Sequence, residues 1–94
     1  MKDWHLYIIR CHDGSLYTGV TIDVERRFRE HQAQGRKCAK YLKGKAPLAL
    51  VFQICIGEKR KAYQLEWHIK QLPRTKKEAL LQGKITLGTL FEQK

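Results

Sequence analysis

The sequence predicts a small α+β domain, and three observations carry that prediction. Two aromatic and β-branched runs, at residues 4–11 and 16–20, flank His12-Asp13-Gly14-Ser15, and an Asp-Gly step between two such runs is a strong hairpin signal. Residues 48–56 form a nearly continuous apolar run of strand length. Apolar residues at helical spacing mark three further segments, at 23–34, 58–72 and 75–82. With 94 residues in all, the chain has room for one compact domain, placed at 1–83, and for a tail at 84–94.

The hairpin comes first, and its register matters. A two-residue turn at Asp13-Gly14 puts Tyr7 and Tyr17 on opposite faces of the sheet, whereas a longer, bulged loop puts them on the same face. The sequence is compatible with both. Asp23 then serves as an N-cap for a first helix over 23–34, with Val24, Phe28 and His31 at helical spacing and Arg27 on the same stripe. Gly35 is expected to end it. The following connection holds Arg36, Lys37, Lys40, Lys43 and Lys45, five cations in ten residues, with Tyr41 among them and one helical turn inside. Such a segment suits a phosphate-facing loop, and it equally suits a solvated basic loop with no partner.

After Pro47 the run from Leu48 to Ile56 reads as a strand covered on both faces and as the central core element. Gly57 ends it. Ala62, Leu65, Ile69 and Leu72 then define the buried stripe of a second long helix, closed by Pro73. A shorter helix follows over 75–82, stopped by Gly83, and the tail has weak β character without a clear place.

Composition narrows the function classes. Nineteen Lys and Arg face nine Asp and Glu, a formal charge of +10, which points to a polyanionic partner, nucleic acid first. Cys11, Cys38 and Cys55 are an odd set without close pairing and are read as reduced. The histidines His5, His12, His31 and His68 lack zinc spacing. Met1-Lys2-Asp3-Trp4-His5 leads into a strand without the apolar run of a signal peptide, and no segment has transmembrane length. A monomeric cytoplasmic protein without a membrane association is the expectation.

Few residues can carry chemistry. Glu66 falls on the flank of the stripe that the second helix must bury. The plainer reading pairs it with one of the many cations; the sharper reading makes it a single-carboxylate site for a hard divalent ion, which keeps several waters and takes a further ligand from substrate phosphate. Tyr7 and Tyr17 taken singly are ordinary hairpin packing, Arg27 a surface cation, and His31 the end of an apolar stripe. Together with Glu66 they supply what phosphodiester hydrolysis needs: a group to orient water, a cation for the developing charge and a metal ligand. No Gly-rich phosphate loop and no serine nucleophile elbow offers a rival set.

The order Leu6-Tyr7-Ile8, Leu16-Tyr17-Thr18-Gly19, Asp23, then Glu25-Arg26-Arg27-Phe28-Arg29-Glu30-His31 and finally Glu66 resembles the GIY-YIG nuclease superfamily. It is closest to small single-domain bacterial members of the UPF0213 type. The resemblance spans roughly residues 4–72. It implies a three-stranded antiparallel sheet flanked by helices, with a metal-dependent endonuclease site on one face. Tyr7 and Tyr17 resemble the two motif tyrosines, one of which helps deprotonate or position water. Gly19 closes the second motif, where a missing side chain permits close approach. Arg27 is similar to the family's phosphate-stabilising helix arginine, His31 to a histidine of some members, and Glu66 to the one protein ligand of Mg2+ or Mn2+. Arg26 joins Arg36, Lys37, Lys40, Lys43 and Lys45 as expected nucleic-acid contacts, DNA before RNA.

Three departures stand out. The first motif reads His5-Leu6-Tyr7 without its glycine, Thr18 replaces an isoleucine, and the chain contains no Asn. The rival class is therefore a nucleic-acid-binding module with this fold and little or no turnover. A domain that docks an acidic protein ranks behind both.

Overall fold

The computed structural model describes residues 2–88. Chain order is β1 (Trp4–Arg10), β2 (Leu16–Thr21), α1 (Val24–Gln32), a single 3-10 turn (Lys40–Leu42), β3 (Ala49–Gly57), α2 (Lys59–Lys70) and α3 (Arg74–Leu81). The strands form one antiparallel sheet in the order β2-β1-β3. It is the α+β, three-stranded arrangement expected from the sequence.

The hairpin takes the longer of the two possible loops. Five residues, 11–15, connect Arg10 to its partner Leu16. The Cys11 amide donates to the Ser15 carbonyl (2.9 Å), and the Gly14 amide donates back to the Cys11 carbonyl (2.9 Å). Gly14 sits at φ +87°, where a side chain is strained, and Asp13 accepts from both the amide and the hydroxyl of Ser15. In the resulting register Tyr7 faces Gly19 and Tyr17 faces Ile9. Residues 7, 9, 17 and 19 therefore share one face, and both tyrosines lie on it.

The apolar run after Pro47 does not hold the centre of the sheet. β1 does: Leu6, Ile8 and Ile9 are fully buried and Tyr7 nearly so, because β1 alone is paired along both edges. β3 is an edge strand, with Gln53, Ile54 and Cys55 exposed. The misreading has a physical source, since an apolar run reports burial of side chains somewhere and not the pairing of both backbone edges. Cys55 is accordingly a free, exposed thiol, while Cys11 and Cys38 are free and buried.

Helices cover both faces. On one side Tyr7, Ile9 and Cys11 pack with Val24 of α1 and with Cys38, Leu42 and Leu48 from the connection. On the other, Leu6 and Ile8 pack with Ile69 of α2 and Leu80 of α3. Asp23 caps α1 by accepting the Arg26 amide (3.1 Å). Gly35 does not end that helix; Gln34 takes the left-handed conformation, at φ +58°. The cost is offset by its side chain, whose amide nitrogen donates to the carbonyls of His31 (3.0 Å) and Leu42 (3.1 Å) while its oxygen accepts the Gly44 amide (2.7 Å). One glutamine thus fastens the basic connection to the end of α1. Of the tail, residues 84–88 form no strand and Ile85 and Leu87 pack on the α2–α3 core; the remainder lies outside the described residues.

Candidate active site

Tyr7 stands at the centre of the α1 face, and Gly19 lets it. A Cβ at Gly19 would lie 2.5 Å from the Tyr7 hydroxyl and 2.6 Å from Cζ, so the phenol crosses the β2 backbone only where a side chain is missing. The hydroxyl lies 3.0 Å from His31 Nε2. His31 is fully buried, and its Nδ1 accepts the Ala39 amide (3.3 Å). A backbone amide can only donate, so Nδ1 carries no proton and Nε2–H donates to Tyr7. Burial, and then the charge of Arg27, push the His31 pKa down to about 4, which keeps the ring neutral at pH 7. Burial, and then Tyr17, hold the Tyr7 pKa far above that of a free phenol, with Arg27 acting in the opposite direction.

Arg27 is placed one turn before His31 on α1. Its Nη1 donates to Glu30 (2.9 Å) and to the Lys37 carbonyl (2.7 Å), an arrangement that fixes the guanidinium beside Tyr7. Burial opposes its charge, but the Glu30 hydrogen bond and the nearby Tyr7 outweigh it. Glu30 was not among the residues expected to matter, although its i,i+3 spacing from Arg27 is the signal that shows it.

Tyr17 links this buried group to solvent. Its ring stacks on Tyr41 (5.8 Å, 24°), meets the edge of His31 (5.7 Å, 71°) and lies 6.4 Å from Tyr7. Glu66 stands on α2, which packs against the other face of the sheet. Its side chain is 18% exposed and lies 3.2 Å from Lys70 Nζ, and its charge contributes to raising the Tyr7 pKa. The plainer reading of Glu66, an ion pair, is therefore present in the structure; its charge acts weakly on Tyr7, and the carboxylate does not itself line the cleft. A cleft of about 350 Å³ opens here, lined by Leu16, Tyr17, Thr18, Tyr41, Lys70 and Lys77. Lys70 and Lys77 escaped the sequence reading; Lys70 stands one helical turn after Glu66, whereas Lys77 belongs to another helix and gives no local signal.

The structure thus brings Tyr7, Tyr17, Gly19, Arg27 and His31 together; Glu66 is joined to them only through its charge on Tyr7 and its partner Lys70, which lines the cleft. The predicted contact cations are more scattered. Arg26 and Lys37 lean on Glu30 (3.8 and 4.0 Å); Arg36, Lys40 and Lys43 are exposed and do not line the cleft. Lys45 alone reaches the ring cluster, 3.7 Å above Tyr41. Among the described residues no group of three or more His, Cys, Asp and Glu could hold a metal ion. A lone carboxylate fits only a hard ion that brings its own waters and shares a substrate phosphate.

Similarity to known proteins extends over most of the chain. Residues 3–79 match the family model described as the GIY-YIG catalytic domain. A UPF0213 protein of Cronobacter sakazakii is 48% identical over 90 residues, covering 96% of this chain and 93% of its own. One from Serratia liquefaciens is 49% identical over 81 residues, covering 86% and 78%. The solution structure of a UPF0213 protein from Bacillus halodurans, 41% identical, superposes with a TM-score of 0.57 over 87% of this chain and 85% of its own. That of an E. faecalis protein, 31% identical, gives 0.61 over 88% and 86%. None of these names states an activity. Among the described residues no helix is long and apolar enough to cross a membrane. On the match, the relatives and the shared fold, the chain belongs to the GIY-YIG domain family and, within it, to the UPF0213 proteins.

Proposed function

We propose that this domain is a metal-dependent endonuclease that hydrolyses phosphodiester bonds in nucleic acid, DNA in the first instance. The observation that supports it is the cluster of Tyr7, Tyr17, Arg27 and His31 beside a cleft lined by Tyr17 and by Lys70, the ion-pair partner of Glu66. Tyr17 is the phenol that lines the cleft, so it orients the attacking water and, once its own proton has passed to solvent, takes up the proton that the water loses. Tyr7 is too deeply buried to give up its proton readily and acts as a fixed partner, held by the Nε2–H of His31. Arg27 supplies positive charge where the phosphate becomes more negative. Magnesium or manganese on Glu66 would add Lewis-acid polarisation of the phosphate. Arg26, Arg36, Lys37, Lys40, Lys43 and Lys45 serve the flanking phosphates as a screened, salt-sensitive field.

The test is nicking of supercoiled plasmid with magnesium or manganese, beside Glu66→Gln and Tyr17→Phe. Each substitution is expected to lower the rate by about 10²–10⁴. Nicking that survives both overturns the mechanism. The second reading, a binding module without turnover, is favoured by the Glu66–Lys70 ion pair, which gives the carboxylate a partner of its own; DNA binding without nicking by the unaltered chain would establish it.

A further inference from the structure

The outer flank of α2 carries features that the cleft does not use. The helix packs on the sheet through Ala62, Leu65 and Ile69, yet Trp67 is 61% exposed and Tyr63, one turn before it, 46% exposed. Scattered apolar residues on a surface are ordinary; two aromatic rings on adjacent turns of a strongly basic helix are not scattered. Tyr63 meets Trp4 at 5.5 Å, and Lys59 Nζ lies 5.6 Å over the Trp4 ring. Lys59, Arg60 and Lys61 fill the first turn, where no acidic residue balances them. Cations at that end oppose the helix dipole, and the one acid beside them, the N-cap Glu58, makes no side-chain capping bond; three cations against one acid leave this end of the helix strongly positive.

The flank is continuous with the cleft. At 3.6 residues per turn, Lys70 lies about 40° and Tyr63 about 60° around the helix from Glu66, and Lys70 itself lines the cleft. Lys59 to Lys70 spans roughly 16 Å along the axis. Adjacent rings flanked by cations at both ends, Lys59 and Lys70, are the equipment for an unpaired strand: bases stack on the rings and the backbone follows the positive charge.

We infer that the Lys59–Tyr63–Trp67 flank of α2 is a nucleic-acid-binding surface that receives the strand leaving the cleft and stacks its unpaired bases on Trp67 and Tyr63. This rests on the reading that the domain handles a nucleic-acid strand, but not on turnover. The chain has two tryptophans, so Trp4→Phe leaves Trp67 as the sole reporter. With Glu66→Gln added and divalent ions chelated, a short oligothymidylate should quench Trp67 emission saturably, while an abasic oligomer of equal length should not. Trp67→Ala should weaken oligothymidylate affinity about tenfold. Replacing Lys59, Arg60 and Lys61 by Ala should make the slope of log affinity against log salt shallower by about two.

Oligothymidylate that binds while Trp67 emission stays constant overturns the inference, and so does equal quenching by the abasic chain. Equal quenching by polyglutamate would overturn it in favour of an acidic protein partner. Plasmid nicking without quenching removes this surface and leaves the nuclease reading intact; quenching without nicking does the reverse.

Discussion

On the α1 side of the sheet the buried layer holds a phenol, an imidazole and two thiols, whereas on the α2–α3 side Leu6, Ile8, Ile69 and Leu80 meet with no fully buried titratable group among them. The polar layer is satisfied by a short chain of hydrogen bonds from the Ala39 amide through His31 to Tyr7, and among the described residues no buried side-chain polar atom lacks a partner. The apolar layer needs no such arrangement. The contrast separates tasks: one layer positions reactive groups among apolar neighbours, and the other is apolar packing alone. Lys70 and Lys77 reach from the second to the cleft beside the first.

The largest expected effect tests that separation. Ile69→Ala empties part of the apolar layer and should cost about 2–5 kcal/mol, read as a lower urea midpoint with an unchanged slope. Plasmid nicking per folded molecule should stay as it was. A loss of rate beyond the unfolded fraction would show that the two layers are mechanically one.

On the polar side the sharpest steric constraint is Gly19. Gly19→Ala should cost about 1–3 kcal/mol, since Tyr7 or the β2 backbone must move, and the His31 Nε2 proton resonance should shift with the displaced phenol. Gly35→Ala provides the control. A Cβ there meets nothing within 4 Å, so stability should hold or rise slightly. Equal costs at both positions would mean that the close approach of Tyr7 is not what Gly19 serves.

Acid should separate the layers as well. His31 has a folded pKa of about 4 against an ordinary 6.5, so the unfolded chain binds the extra proton and stability falls as pH drops from 6.5 towards 4, by about 2 kcal/mol at pH 5. Glu78, on the other layer, is held at about 2, chiefly by its hydrogen bond from Arg10. Its contribution is lost only as pH falls below 4.5 towards that value. Denaturation followed from pH 7 to pH 3 should show two limbs, and His31→Gln should remove the first alone. A first limb that persists in that variant would relocate the titration.

Much of this could be read from the residues, and what could not has physical causes. The stripe of Ala62, Leu65, Ile69 and Leu72 and the Asp23 cap are local signals, written within one or two turns, and they placed α1 and α2 correctly. Which strand sits in the middle is a matter of pairing partners, which an apolar run such as Leu48 to Ile56 does not encode. The register of Tyr7 against Gly19 depends on how five loop residues fold back, not on the Asp-Gly step itself. Gln34 was passed over because Gly35 beside it is the residue ordinarily found in a left-handed position, and only long-range bonds to Leu42 and Gly44 reveal the exchange. Lys77 approaches Tyr17 from a third helix, and no spacing in the sequence reports that.

The smallest effect compares the two helices that carry the site. Asp23 accepts an amide of the first turn of α1, whereas Glu58 in the same position on α2 makes no side-chain capping bond. Asp23→Ala should therefore cost about 1 kcal/mol, and Glu58→Ala much less, measured as paired urea midpoints. The functional consequence should follow the same order. Fraying the start of α1 loosens the helix that presents Arg27 and His31, so Asp23→Ala should lower the nicking rate more than its stability loss explains. Glu66 lies two turns into α2, where Ala62 and Leu65 already hold the helix against the sheet, so Glu58→Ala should leave the rate unchanged. If the two variants lose rate equally, the positions of Arg27 and His31 depend on the packed layer and not on the cap.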